Sequence, residues 1–500
     1  MISENQSPSF FSGDRVVGLD LLRGIALLGI LLANVHQMLS SWNLAGVPVA
    51  IVPGEWGTYI EWFFVSTLVD NKFLTIFSLL FGVGFAIQVS SLKSKTGGFR
   101  IIYARRLLLL ALIGIGHALF LYTADVLFYY AVTGVVLMLF WGLSARVLMV
   151  LGFGLSISVM YWYYFLEVAG SQDLAFALPI IAGIIIALLL IQKLKPVLVG
   201  AAGVLLLVGA VAFTNAHKTT VENEPGLWGY MQMAAEGLAA MPDDAIVIGG
   251  QQFEVPLDED ALAQIAEMEL GPADQMALET TAMRDGPAAF AVETRADRFL
   301  GMLVAFVLFY FWRTLGIFLF GAGLVKWGLL NRGSSPLYRK AAMWGIGVGL
   351  PLSALGTALV AAGEPQTTAL MAWAGALQEF AAYPLAAGIA GLVMLWSASQ
   401  RFARIQRSIA AAGRMALTNY IGQSAIMALL ATSYGAGLFG TVSRMEQLGL
   451  ALVVFTGLVV VSRIWLSIFH MGPLEWFWRL GTYFKMPPVF ARRSKAKAGA

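Results

Sequence analysis

The chain has 500 residues, 59% of them hydrophobic and only 12% charged, with a mean hydropathy of +0.76. This composition excludes an ordinary soluble domain, and the absence of cysteine excludes disulfides, thiolate metal sites and a cysteine nucleophile. A net charge of +3 conceals a segregation, because residues 215–298 hold sixteen acidic side chains against four Lys and Arg. The remaining basic charge is spread over short connections, which argues against a nucleic-acid groove and for orientation in a lipid bilayer.

Taken in chain order, the first apolar run is "LDLLRGIALLGILLANVHQM", residues 19–38. It is long, it carries Asp20 and Arg23, and no small-residue cleavage site follows, so it reads as a retained span and not as a cleaved signal. Apolar runs of about twenty residues predict an all-α polytopic membrane protein with twelve spans. They are 19–40, 59–92, 104–122, 125–142, 146–168, 174–192, 196–214, 299–330, 338–362, 370–397, 415–436 and 447–467. Basic connections such as "SLKSKTGGFR" and "RFARIQRSIAAAGR" alternate with acidic or Lys/Arg-poor ones such as "YTAD" and "AGEPQTTA". By the positive-inside rule both termini are then cytoplasmic.

Four regions follow: an N-terminal membrane half (1–214), an acidic extracytoplasmic insert (215–298), a C-terminal membrane half (299–467), and an interfacial helix with a basic tail (468–500). Span 59–92 would measure ~50 Å as one helix, against a hydrocarbon core of about 30 Å, so a break is predicted at "LVDNKF". Residues 299–330 have the same character around Trp312 and Arg313, either as a broken span or as a helix-turn element in the interface. Glycine patches "LLFGVGFAIQ" and "FLFGAGLVKWG" lie inside apolar runs and read as helix-packing surfaces, not nucleotide loops. The insert shows weak helical stretches and turn signals, among them "IGGQQ".

Ionisable side chains at membrane depth usually line cavities, which makes each a functional candidate. His117 lies ~16 Å along its helix from Arg106, and Asp70 is ~18 Å deep in its own span, so both fall near mid-bilayer. A carboxylate beside His117 would fix its tautomer and make it a general base; otherwise the pair is a structural hydrogen bond. Asp125 opens the fourth span, where a helix N-terminus favours negative charge. His36 reads as an interfacial residue, with Asn34 the more interior of the two. Four scattered histidines without i, i+4 pairing give no metal signature. At the inner face Asp20 and Arg23 share one helix side, and Arg105 and Arg106 open the third span. Such arginines suit phosphate binding, although positive-inside anchoring accounts for them as well.

The motifs "LDLLRGIALLGILLAN", "KFLTIFSLLFGVGFAIQ", "RRLLLLALIGIGHALFLYTADVLFYYAVTG", "GRMALTNYIGQSAI", "YGAGLFG" and "GPLEWFWRLGTY" resemble, in that order, those of the YeiB-like bacterial inner-membrane family (domain of unknown function 418). The likeness covers both ends and most spans, but not the insert or residues 146–214. The Asp-x-x-Arg-Gly start, with Asn34 near the end of the first span, is more distantly similar to transmembrane acyltransferases of the heparan-alpha-glucosaminide N-acetyltransferase type. That similarity implies acyl-CoA taken from the cytoplasm, a lipid or sugar acceptor across the membrane, and a histidine at the reaction centre. Asp20, Arg23 and Asn34 match the shared start, whereas the outer loop 39–58 contains no histidine.

Three functions are compatible with these residues. In an acyltransferase, Asp20, Arg23, Arg105 and Arg106 would form the phosphate-binding mouth for acyl-CoA, with Lys72 deeper. His117, oriented by Asp70 or Asp125, would be the base, and Asn34 would polarise the thioester carbonyl. A transporter or flippase would use Asp70, Lys72, Arg313 and Glu379 for coupling, without covalent chemistry. In an assembly subunit they would be structural. The sequence leaves room for a homo-oligomer or a membrane-complex partner.

Overall fold

The computed structural model describes residues 17–41, 56–93, 99–168, 245–248, 251–254, 272–306, 310–329, 335–362, 368–399 and 401–490. The expected spans 174–192 and 196–214 lie outside these residues, as does the stretch "DEDALAQIAEME" of the insert. The first half comprises α1 (Val17–Leu39), α2 (Trp56–Leu68), α3 (Lys72–Lys93), α4 (Phe99–Phe120), α5 (Leu127–Phe140) and α6 (Ala145–Val168). Within the insert, β1 (Ala245–Ile248) and β2 (Gln251–Glu254) pair antiparallel, flanking the "GG" of the expected turn, and α7 (Pro272–Asp285) follows. The second half comprises α8 (Ala288–Ala305), α9 (Phe311–Lys326), α10 (Ser335–Ala362), α11 (Thr368–Ser399), α12 (Ala403–Arg414), α13 (Ala416–Ala431), α14 (Arg444–Ile468) and α15 (Pro473–Tyr483). The helix α8 runs without interruption across the boundary expected at residues 298 and 299.

Among the described residues, six helical stretches are long and apolar enough to cross a membrane: Val17–Leu39, Trp56–Ser91, Phe99–Phe120, Pro336–Ala361, Trp373–Ser399 and Arg444–Ile468. The apolar helices α5 and α13 are shorter, 14 and 16 residues, or about 21 and 24 Å, and fall short of a ~30 Å core.

The break predicted at "LVDNKF" is present. Asn71 takes the left-handed conformation (φ 60°), which ends α2 and lets α3 start in a new direction. The Lys72 ammonium donates to Ser66 O at 2.6 Å, satisfying a carbonyl that the break strips of its helical partner. In the second region α8 ends at Ala305 and α9 begins at Phe311, just before Trp312 and Arg313; Phe306 and Tyr310 are π-helical, and 307–309 lie outside the described residues.

The two glycine patches pack on each other. A Cβ on Gly82 would stand 2.2 Å from Phe318 O, and one on Gly321 would stand 2.5 Å from Leu79 O, so α3 and α9 touch backbone to backbone. Beside them Phe81 stacks on Phe318 at 4.5 Å, and Tyr130 of α5 meets both rings edge-on.

Loop contacts sort the helix ends. At one end of the bundle Gly440 N–H donates to Leu39 O, Ser433 N–H to Met283 O, and Arg295 to Phe120 O. At the other end the Trp478 indole donates to Arg106 O, and the Glu475 carboxylate accepts the backbone N–H groups of Leu417 and Thr418 at the start of α13. Burial pushes the Glu475 carboxyl above its usual range, and those hydrogen bonds offset the shift only in part.

Candidate functional site

Because α4 stops at Phe120 and α5 starts only at Leu127, the linking segment 121–126 dips into the bundle. It carries Asp125 to the side of His117, with Oδ1 2.9 Å from Nδ1, both side chains fully buried. The second carboxylate oxygen accepts Phe128 N–H at 2.7 Å, so one residue holds both the imidazole and the first turn of α5. With its Nδ1–H given to Asp125, a neutral His117 presents its lone pair at Nε2. That atom is buried and has no hydrogen-bond partner among the described residues. The carboxylate partner of His117 is thus Asp125, the second of the two that the sequence offered.

The close approach of α4 and α5 depends on Gly114, where a Cβ would stand 2.4 Å from Phe128 N and 2.6 Å from Asp125 Oδ2. Gly114→Ala is therefore expected to destabilise the protein by about 1–3 kcal/mol, with the helices forced apart at the dyad. An unchanged thermal unfolding midpoint in detergent would contradict that contact.

Two rings flank His117. Tyr420 of α13 lies 4.9 Å away, and Tyr122 meets it edge-on at 6.3 Å. Gln423 shares the helix side of Tyr420, is fully buried, and leaves both amide atoms without a partner among the described residues. The Tyr122 hydroxyl donates to Gln37 and forms part of the wall of a small, partly open recess. This recess lies among the ends of α1, α4, α7, α8 and α13, with Gln37, Tyr122, Thr123, Glu279, Arg295 and Arg298 as its main polar lining. Asn34, half-buried, lies on the Gln37 side of α1, three residues earlier.

Around the recess Arg298 pairs with Glu279 at 2.5 Å, and Glu279 also accepts the Ser41 hydroxyl at 2.6 Å. Arg295, only 6% exposed, donates to Phe120 O and to the Tyr434 hydroxyl. Burial raises the Tyr434 pKa, but hydrogen bonds to Thr432 and Arg295 and the Arg295 charge outweigh it and leave the pKa below the usual value.

Asp70 belongs to a different cluster. The charges acting on it come from Lys72, His36, Glu61 and Arg444. His36 is buried within the protein: Nδ1 faces Gln447 at 2.6 Å and Nε2 faces Glu61 at 2.7 Å. With both nitrogens engaged it has no free lone pair to act as a base. Its depth arises because α2 and α14, which bring Glu61 and Gln447, cover the outgoing end of α1. Deeper in the bundle Arg313 donates to Glu379 and to Thr75, and Tyr383 also donates to Glu379.

The remaining residues singled out from the sequence sit at the opposite end. Arg23 pairs with Asp20 at 2.9 Å and is 29% exposed. The guanidinium of Arg105 lies over Phe484, and that of Arg106 lies 3.9 Å from the centre of the Trp478 ring. No role for Tyr122, Arg295, Tyr420 or Gln423 was legible from sequence, although Tyr122 falls in the quoted motif that also holds His117. Only "GRMALTNYIGQSAI" pointed to Tyr420 and Gln423, as a motif without a role.

Residues 324–485 match the family model described as "Protein of unknown function (DUF418)". The chain is 26% identical over 496 residues to the uncharacterized protein YeiB of Escherichia coli (strain K12), covering 96% of this chain and 100% of that one. It is 24% identical over 499 residues to the uncharacterized protein YxaH of Bacillus subtilis (strain 168), covering 97% and 98%. An uncharacterized 39.9 kDa protein in the amylase 3' region of Bacillus acidopullulyticus is 33% identical over 109 residues, 22% of this chain and 31% of that protein. No solved structure matches. The chain is a membrane-protein homologue of YeiB and YxaH that carries a DUF418 region, as its sequence motifs imply.

Proposed function

We propose that this protein is an acyltransferase of the bacterial cytoplasmic membrane, moving an acyl group from cytoplasmic acyl-CoA to an acceptor held at the recess. The observation that carries the reading is His117, buried, oriented by Asp125, and with Nε2 left without a protein partner. In the reaction Nε2 takes the proton of an acceptor hydroxyl or amine as the Tyr122 ring turns aside. The acceptor atom attacks the thioester carbonyl, the C–S bond breaks, and the CoA thiolate leaves with the proton from the imidazolium. Asn34, or the unpartnered amide of Gln423, stabilises the oxyanion that forms in between.

Asp20, Arg23, Arg105 and Arg106 form the phosphate-binding mouth in this reading, and Lys72 lies deeper. Arg23 and Asn34 are ~16 Å apart along α1, which is the distance the thioester arm has to bridge. The recess faces the extracytoplasmic side, within a twelve-span arrangement whose termini are both cytoplasmic. In support, segments 37–41 and 121–125, which hold no Lys or Arg, gather at one end of the bundle. The basic 401–414 and Arg106 lie at the other.

Incubation of the purified chain with labelled acyl-CoA tests the reading through binding and CoA release. Absence of binding at high micromolar concentration would overturn it. A transporter without covalent chemistry is favoured by one observation, the buried charges of Lys72, Arg313 and Glu379. Proton- or sodium-driven uptake into proteoliposomes, with no CoA release, would select that reading instead.

A further inference from the structure

We propose that the recess is an anion site, and that the acceptor it takes carries a phosphate on a small polyol, either free or as a phospholipid headgroup. The word acceptor rests on the acyltransferase reading; the anion site does not. The lining has two arginines and one carboxylate. Arg298 and Glu279 satisfy each other, and Ser41 takes the second Glu279 oxygen. Arg295 is different. Its partners among the described residues are a carbonyl and a phenol, both neutral, although the side chain is almost wholly buried.

A buried guanidinium without a counter-ion is unfavourable, and an anionic ligand removes that penalty. The nearby carboxylates on the same helix, Glu293 and Asp297, are two residues to either side of Arg295, point away from it, and are exposed. On α7, Asp285 is occupied by Arg284 at 2.5 Å. The planar fork of Arg295 suits a phosphate, which can take two of its N–H groups at once. Gln37, Thr123 and Thr294 supply donors and acceptors for hydroxyls, while Met38, Met283 and Phe439 give an apolar wall for the carbon side of the ligand. The recess is partly open, which lets a phosphate group reach Arg295 while any acyl chains stay in the bilayer.

The test uses the full chain in maltoside micelles, without acyl-CoA. Titration calorimetry is run with sn-glycerol 3-phosphate, with dioctanoyl phosphatidylglycerol, and with dioctanoylglycerol, which lacks the phosphate. Saturable binding is expected for a phosphate-bearing probe and not for dioctanoylglycerol. Arg295→Gln should weaken it at least about tenfold, as expected for loss of hydrogen bonds to a charged group. Thr294→Trp, which fills the recess and leaves the Arg295 bonds in place, should abolish it. Binding of glycerol 3-phosphate identifies a soluble source, and binding of the lipid alone identifies a headgroup. Equal binding of dioctanoylglycerol, binding unchanged in both recess variants, or no saturation by either phosphate probe would overturn the proposal. A protein that binds the probes yet releases no CoA would remove the chemistry and leave the anion site standing.

Discussion

Replacing His117 with alanine is expected to lower acyl transfer by roughly 10²- to 10⁴-fold while leaving acyl-CoA binding unchanged, the range typical for loss of a positioned general base. Single-turnover release of CoA measures the first quantity, and equilibrium binding of labelled acyl-CoA measures the second. Asp125→Asn is the more discriminating variant. Its amide oxygen can still accept Phe128 N–H, so the first turn of α5 should hold. Its amide nitrogen cannot accept the Nδ1–H of His117, so the favoured tautomer is lost and Nε2 is protonated instead. The expected result is a protein with near-parental thermal stability and a rate reduced by about 10²-fold or more. Full turnover in His117→Ala would remove the assignment of the base, whatever Asp125→Asn does.

The second large effect concerns stability. Arg313 and Glu379 are about 1% exposed, joined to each other, and further held by Thr75 and Tyr383. Removing one member of such a pair leaves an uncompensated charge in a dry interior. Glu379→Gln or Arg313→Met should therefore cost about 3–5 kcal/mol. Replacing both residues with apolar ones of similar size, Arg313→Met with Glu379→Leu, should recover most of that loss. Retention of monodisperse protein after stepwise heating in detergent would measure the cycle. Simple addition of the two single losses in the double variant would show that the pair is not coupled.

Much of the fold was legible in the chain because long apolar runs leave little choice. The left-handed turn at Asn71 announced itself through three consecutive polar residues in an apolar run, and the glycine patches through their setting. The pairing of polar groups was harder to read. Depth along the helices matched Asp70 to His117 and put Asp125 at the opening of its span, and only the inward dip of 121–126 brings Asp125 to the imidazole. The partners of His36 were not legible because position along a helix gives depth but not cover. Glu61 and Gln447 lie 25 and 411 residues away in sequence. Arg295 sits in an acidic segment where an arginine looks ordinary, and its neutral partners among the described residues emerge only when α8 is docked on α4.

The small helix α15 is fastened at two points. Glu475 holds the start of α13, and Trp478 holds α4 through Arg106 both by its indole N–H and by its ring. Those two helices are the ones that set His117 beside Tyr420, roughly 16 Å farther along α4. The C-terminal segment therefore acts as a brace across the foot of the two helices that carry His117 and Tyr420, fixing how α4 and α13 stand relative to each other. A fusion that tugs on this foot, or a cut before Pro473, would loosen the far end of both helices without touching a residue of the recess.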